Sequence, residues 1–189
     1  MSLLVIGLSH HTAPLALLES LSESPERVAD IATAVLASAT ASEAVVLATC
    51  NRLEVYAEVP AFHPAVAAVG EALAIAAGAR REGLPTPTEV VPSDPVEELA
   101  TRVEGIADHL YVRYDDGAVA HAFTVACGLD SMAVGESQIL GQMREALAMA
   151  QQAGRAGESL NSLFQQALRV GKRAHSETDI DRHSVSLVQ

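Results

Sequence analysis

Two kinds of hydrophobic pattern alternate along this chain of 189 residues. Residues 3–8 are a short apolar run ending at Ser9-His10-His11-Thr12, which predicts a buried strand that opens into a polar loop. Residues 14–20 predict a short helix starting at Pro14. Ser24 and Pro25 supply an N-cap and a first helical residue, and Val28, Ile31, Val35 and Leu36 then recur at helical spacing to about Ser38. Residues 44–48 and 53–59 read as two strands, the second alternating. Only Thr49, Cys50, Asn51 and Arg52 separate them, so the strands are neighbours joined by a tight connection. Residues 64–79 predict an alanine-rich helix. Residues 82–108 break the pattern with Pro85, Pro87, Pro92 and Pro95 and predict a surface excursion, with a short helix near 95–104.

A fourth strand is expected at 109–114, a turn at Asp115-Asp116-Gly117 and a helix over 118–126. Residues 128–141 are punctuated by glycine and rich in polar side chains. Two more helices follow, over 142–153 and 159–178. Strand, helix, strand, strand, helix, strand is the order of a split βαβ unit. The fold class predicted is therefore α+β, a ferredoxin-like sandwich with additional C-terminal helices leading into a long connecting helix.

Composition narrows the function classes. Hydrophobic residues make up 49% of the chain and aromatics 3%, which suits packed helices better than a disordered acidic tail. No apolar run reaches the roughly 18–20 residues of a membrane span. The N-terminus, without a basic region or cleavage site, predicts a cytoplasmic protein. Two cysteines make no disulfide framework. Acids outnumber Lys and Arg by 24 to 12, for a net charge of −12, which excludes an indiscriminate nucleic-acid coat. The acidity is concentrated before Gly135: residues 136–189 carry six acids and six cations. Arg169, Lys172 and Arg173 fall on one helix face there, a candidate phosphate contact or a solvated face.

Cys50 is the first candidate for chemistry. It sits at the tip of a strand connection between Thr49 and Asn51, with Arg52 two residues on. A thiol nucleophile needs access and thiolate character, and a nearby cation favours the thiolate. Its alternative is a small buried hydrophobe. Cys127, ending an apolar helical stretch, reads as packing. Between 128 and 142, Asp130, Ser131, Glu136, Ser137, Gln138 and Gln142 are more polar groups than helix capping uses, and they predict a small-molecule pocket. His10 and His11 follow the first strand. His121 stands alone on a helix, where a structural hydrogen bond is the commoner role. No CxxC or HExxH spacing is present, so no metal site is predicted. Neither GxGxxG nor GxxxxGK[ST] occurs, so no phosphate loop is predicted either.

Taken together, Ser9-His-His-Thr-Ala-Pro14, Ala48-Thr-Cys-Asn-Arg52 before Glu54-Val-Tyr56, Gly128-Leu-Asp-Ser131 and Gly135-Glu-Ser-Gln-Ile-Leu-Gly-Gln142 resemble glutamyl-tRNA reductase, as do Gly171-Lys-Arg173 and Glu177-Thr-Asp-Ile180. The resemblance covers nearly the whole chain outside the insert near 82–105. It implies NADPH-dependent reduction of glutamyl-tRNA(Glu) to glutamate-1-semialdehyde through a Cys50 thioester, the first step of five-carbon tetrapyrrole synthesis. It also implies Cys50 and His121 as catalytic residues, with His121 orienting the substrate or transferring a proton. Thr49, Asn51, Arg52, Ser131, Glu136, Ser137, Gln138 and Gln142 would bind substrate, Arg52 pairing with its carboxylate.

Residues 1–156 would then be the catalytic domain, 157–182 a connecting helix, and 183–189 the start of an NADPH-binding domain beyond the chain. Alone, the chain would form the thioester and lose it to water. The full-length family forms homodimers through a region absent here, so a monomer is expected, and the downstream aminomutase is a candidate partner. A tetrapyrrole-sensing module using His10, His11 and Cys50 is the alternative reading.

Overall fold

A computed structural model describes residues 1–78, 105–131 and 138–178. The insert at 82–104, Glu136, Ser137 and the segment 183–189 lie outside the described residues. Four strands, β1 (Ser2–Ser9), β2 (Glu43–Ala48), β3 (Arg52–Val59) and β4 (Tyr111–Tyr114), form one sheet in the order β2-β3-β1-β4. Every pairing is antiparallel. That order, with helical crossovers between β1 and β2 and between β3 and β4, is the ferredoxin-like arrangement the sequence predicts.

The sheet is covered on both faces. Helices α1 (Leu15–Leu21), α2 (Pro25–Ala37) and α3 (Phe62–Gly78) bury one face. Helices α4 (Asp116–Ala126), α5 (Gln138–Gln152) and α6 (Glu158–Glu177) bury the other. Strand alternation sorts the side chains between these two cores. Leu53, Val55 and Ala57 of β3 face α1–α3, while Tyr56 faces α4–α6. Arg52 and Glu54 share the parity of Tyr56 and are buried on that second side.

Ser24 is the N-cap of α2 and accepts from the Arg27 amide at 3.3 Å, as its place before Pro25 predicts. Most boundaries shift by one or two residues: β4 starts at Tyr111, and Asp116 and Gly117 open α4 instead of forming the predicted turn. The largest shift is in α5. Helix α5 begins at Gln138, four residues before the predicted start, and carries Gly141 inside it. A helical glycine costs about 1 kcal/mol against alanine. Burial of Ile139, Met143, Leu147 and Ala150 along one face outweighs that cost.

Helix α6 has glycine at its N-cap position and no side-chain cap of its own. The buried carboxylate of Glu43 on β2 takes that place, accepting from the amides of Ser159 at 3.1 Å and Leu160 at 2.8 Å. Gly157 lies against this carboxylate with no room for a Cβ. Glu43→Ala should therefore cost about 2 kcal/mol, by leaving two helix N–H groups without acceptors, read as a lower urea midpoint. An unchanged midpoint would show that water caps α6 equally well. Further along α6, Gly171 meets the carbonyl oxygen of Ala126, so this helix crosses the end of α4 at backbone contact. Arg169, Lys172 and Arg173 are all exposed, and Arg173 pairs with Glu177 at 3.1 and 3.2 Å.

Candidate functional site

The β2–β3 connection is a turn organised by Thr49. Its amide donates to the Arg52 carbonyl at 2.8 Å, and its Oγ1 accepts from the amides of Asn51 at 3.2 Å and Arg52 at 3.1 Å. The Asn51 carbonyl accepts from the His10 amide at 2.9 Å, tying the hairpin to the end of β1. These bonds leave Cys50 exposed at the tip. Thr49, Cys50, Asn51 and Arg52 line one side of a small cleft, with Ser131, Ile139 and Gln142 on the other. Six of the residues predicted to bind or react with substrate thus meet, though they come from segments about 80 positions apart. Gln138 is exposed at the first residue of α5 and does not line the cleft. With a volume of about 20 Å³, the cleft has room for a water molecule and must widen for anything larger.

A far larger cavity, about 740 Å³, lies at the opposite end of the sheet, among Ser2, Leu3, Glu58, Asp115, Phe123 and Ser162. Seven residues of β1 separate the Val59 end from the Arg52 end, about 23 Å of strand. Two acids of that cavity already serve the fold. Asp115 accepts from the Leu3 amide, and Glu58 accepts from Ser42 and Ser159. Size alone does not mark the site; the residues singled out by the sequence lie at the Cys50 end.

Behind the cleft runs a buried polar network on the second face of the sheet. Arg52 Nη1 donates to Glu54 Oε1 at 2.8 Å and to Asp130 Oδ2 at 2.9 Å, and Nη2 donates to the Asp130 carbonyl. Glu54 Oε1 also receives His121 Nε2 at 2.8 Å and the Tyr111 hydroxyl, while Oε2 receives the Tyr56 hydroxyl at 2.6 Å. Burial works to raise the Glu54 carboxyl. The His121 hydrogen bond and the charge of Arg52 overcome it and hold the group down to about 2. Burial also opposes the charge on Arg52, yet Glu54 and then Asp130 push its pKa up, so it stays a cation. Burial, reinforced by the Glu54 charge, raises the phenols of Tyr56 and Tyr111, which remain hydrogen-bond donors.

The expectation that Arg52 meets a substrate carboxylate faces a specific geometry. The side chain is 2% exposed, and two protein carboxylates hold its guanidinium. Glu54, His121 and Asp130 each bring a ligand atom within 4.8 Å of the others, a spacing that suits a metal ion. Arg52 Nη1 stands between the two carboxylates and fills the place a cation would take. Glu54, Tyr56 and Tyr111 carry no role in the sequence reading, and Asp130 enters it only as one of the polar groups of the predicted pocket. The one trace of them in the sequence is in β3, where Arg52, Glu54 and Tyr56 alternate with three apolar residues, a pattern that a wet strand face also gives. Cys127 is half-buried at the end of α4, and burial pushes its thiol up.

The model for the N-terminal domain of glutamyl-tRNA(Glu) reductase matches residues 6–178 of this chain. The chain belongs to the glutamyl-tRNA reductase family. Glutamyl-tRNA reductase 1 of a Nocardioides species (strain ATCC BAA-499 / JS614) is 50% identical over 188 residues, covering 100% of this chain and 39% of that protein. Glutamyl-tRNA reductase of Streptomyces coelicolor is also 50% identical, covering 29% of its own length. Glutamyl-tRNA reductase from Methanopyrus kandleri superposes with a TM-score of 0.61 at 34% identity, over 93% of this chain and 35% of that one. The chain thus spans between 29% and 39% of the length of these two curated reductases. Reductases of this family are oxidoreductases, and this chain corresponds to their N-terminal domain. Among the described residues no helix is long and apolar enough to cross a membrane.

Proposed function

We propose that this chain is the part of a glutamyl-tRNA reductase that captures the glutamyl group, the opening chemistry of the first step of tetrapyrrole synthesis. The observation that carries this reading is Cys50 itself. It is an exposed thiol, presented by a tight hairpin into a cleft shared with Thr49, Asn51, Arg52, Ser131 and Gln142. The Cys50 sulfur attacks the ester carbonyl of glutamyl-tRNA. A C–S bond forms, the C–O bond to the terminal ribose breaks, and the ribose oxygen leaves with a proton supplied through His121. Ser131, Gln142 and Asn51 offer the hydrogen-bonding groups that a glutamyl moiety requires, and Glu136, Ser137 and Gln138 are further substrate-binding residues in this reading. Arg52 is the cation for the substrate carboxylate, which it reaches as Asp130 gives way. Water attack on the thioester then releases glutamate.

NADPH, when bound, supplies the hydride that turns such a thioester into an aldehyde. The starts of α2 and α6 do not fit its phosphates. Glu43 fills the α6 start and Ser24 caps α2, with no glycine-rich cradle at either. Glutamyl capture and release by water need no hydride. Residues 1–156 form the glutamyl-binding unit in this reading, and 157–182 the connecting helix, whose first turns are built into the second core through Leu160, Leu163 and Phe164.

The test is a quenched incubation with glutamyl-tRNA followed by intact-mass and peptide analysis. One glutamyl group on Cys50, retained in Cys127→Ser, supports the reading. No adduct and no deacylation, or an adduct on Cys127 alone, overturns it.

A further inference from the structure

Glu54 is a wholly buried carboxylate to which the capture chemistry assigns nothing. Stability does not explain it, because a buried ion pair often contributes no more than apolar side chains of the same volume. The sheet is nevertheless shaped to hold it. Gly7 on β1 pairs with Glu54 on one side and with Tyr111 of β4 on the other. A Cβ on Gly7 would stand 2.8 Å from Glu54 Cγ and 2.7 Å from the Leu53 carbonyl oxygen. The missing side chain lets the Glu54 carboxylate lie across β1 and reach the Tyr111 hydroxyl one strand further on. Tyr56, on the same strand, closes the second oxygen. The histidine above this row is His121 of α4. Its Nε2 lies 2.8 Å from Glu54 Oε1, and its ring sits 5.5 Å from that of Tyr111.

An ionised carboxylate only accepts hydrogen bonds, so the His121 nitrogen facing it carries the proton. In the neutral ring, Nδ1 then holds the lone pair. We infer that Glu54 is a positioning residue for His121: it takes the Nε2–H, fixes the ring, and makes Nδ1 the atom that exchanges a proton with the reacting groups. This rests on the reading that His121 serves glutamyl capture. The proton leaving the Cys50 thiol passes to Nδ1 and then to the ribose oxygen as the C–O bond breaks, so the ring ends as it began. Tyr56 and Tyr111 secure the carboxylate itself.

The experiment pairs a spectrum with a rate. In the ¹⁵N-histidine-labelled chain, the neutral His121 ring should show a protonated Nε2 and a bare Nδ1. The Cys50 adduct should form about 100-fold more slowly in Glu54→Gln, the lower end of what a positioned proton-transfer group contributes. Tyr111→Phe should slow it less, and Glu58→Gln, on the same strand but at the far end, should leave it unchanged. A protonated Nδ1 in the wild type overturns the inference. So does a folded Glu54→Gln that is acylated at the wild-type rate. If Glu54→Gln does not fold, the wild-type spectrum and the Tyr111→Phe rate decide in its place. A wild-type chain that neither forms an adduct nor deacylates glutamyl-tRNA refutes the capture reading instead, and the tautomer in the spectrum still decides whether Glu54 positions the ring.

Discussion

Cys50→Ala leaves no glutamyl adduct, and the chain's deacylation of glutamyl-tRNA falls by at least about 1,000-fold, to the rate in buffer. Removing a nucleophile costs this much or more because the other site residues have nothing to act through. The substitution tests chemistry cleanly. Cys50 is exposed at a hairpin tip, and the turn beneath it is closed by Thr49, whose bonds do not involve the thiol. The melting temperature of Cys50→Ala should match the wild type. The measurement is a single-turnover deacylation time course with labelled glutamate, run beside Cys127→Ser. Residual turnover in Cys50→Ala well above buffer would show that water is activated directly and that no thioester is needed.

Arg52→Ala is expected to have the largest effect on stability, about 3–5 kcal/mol at neutral pH. It removes the cation between Glu54 and Asp130 and leaves the Glu54 charge buried among hydroxyls and His121. The pH dependence gives the test its sign. Glu54 has its carboxyl lowered from an ordinary 4.5 to about 2 in the folded chain. A group depressed on folding contributes stability that is complete above its ordinary value and is lost as the pH falls through the folded one. Wild-type stability from this group therefore declines between about pH 4.5 and 2. In Arg52→Ala the carboxyl protonates at higher pH, which relieves the buried charge. The gap between the two urea midpoints should be widest at pH 7 and should narrow by pH 3. An equal gap at both pH values would mean that lost packing of the Arg52 stem, rather than an uncompensated charge, accounts for the destabilisation.

Cys50 and Arg52 are both named from the sequence, but the carboxylate that holds Arg52, Glu54, is not. Cys50 is legible because its surroundings are local. Two apolar runs with only Thr49 to Arg52 between them predict a tight connection, which puts the cysteine at its tip. The same locality made Ser24 readable as a cap and the order of strands and helices readable as a ferredoxin-like sandwich. Glu54 was not legible. In β3, Arg-Leu-Glu-Val-Tyr-Ala-Glu-Val reads as a strand with one wet face, since alternation reports only that two faces differ.

The chain alone thus determined the element order, the hairpin and the cysteine at its tip, all products of interactions within a few residues of one another, and the structure decided that this thiol is exposed rather than buried. The tertiary structure decided which polar face goes dry. Packing of α4, α5 and α6 over the second face buries Arg52, Glu54 and Tyr56, and burial of charge forces every donor nearby to converge on one carboxylate. It also decided that Asp130, 78 positions further along the chain, holds Arg52, and that Gly7 opens the way to Tyr111. Such partners are set by sheet register and helix packing, and no spacing along the chain encodes them.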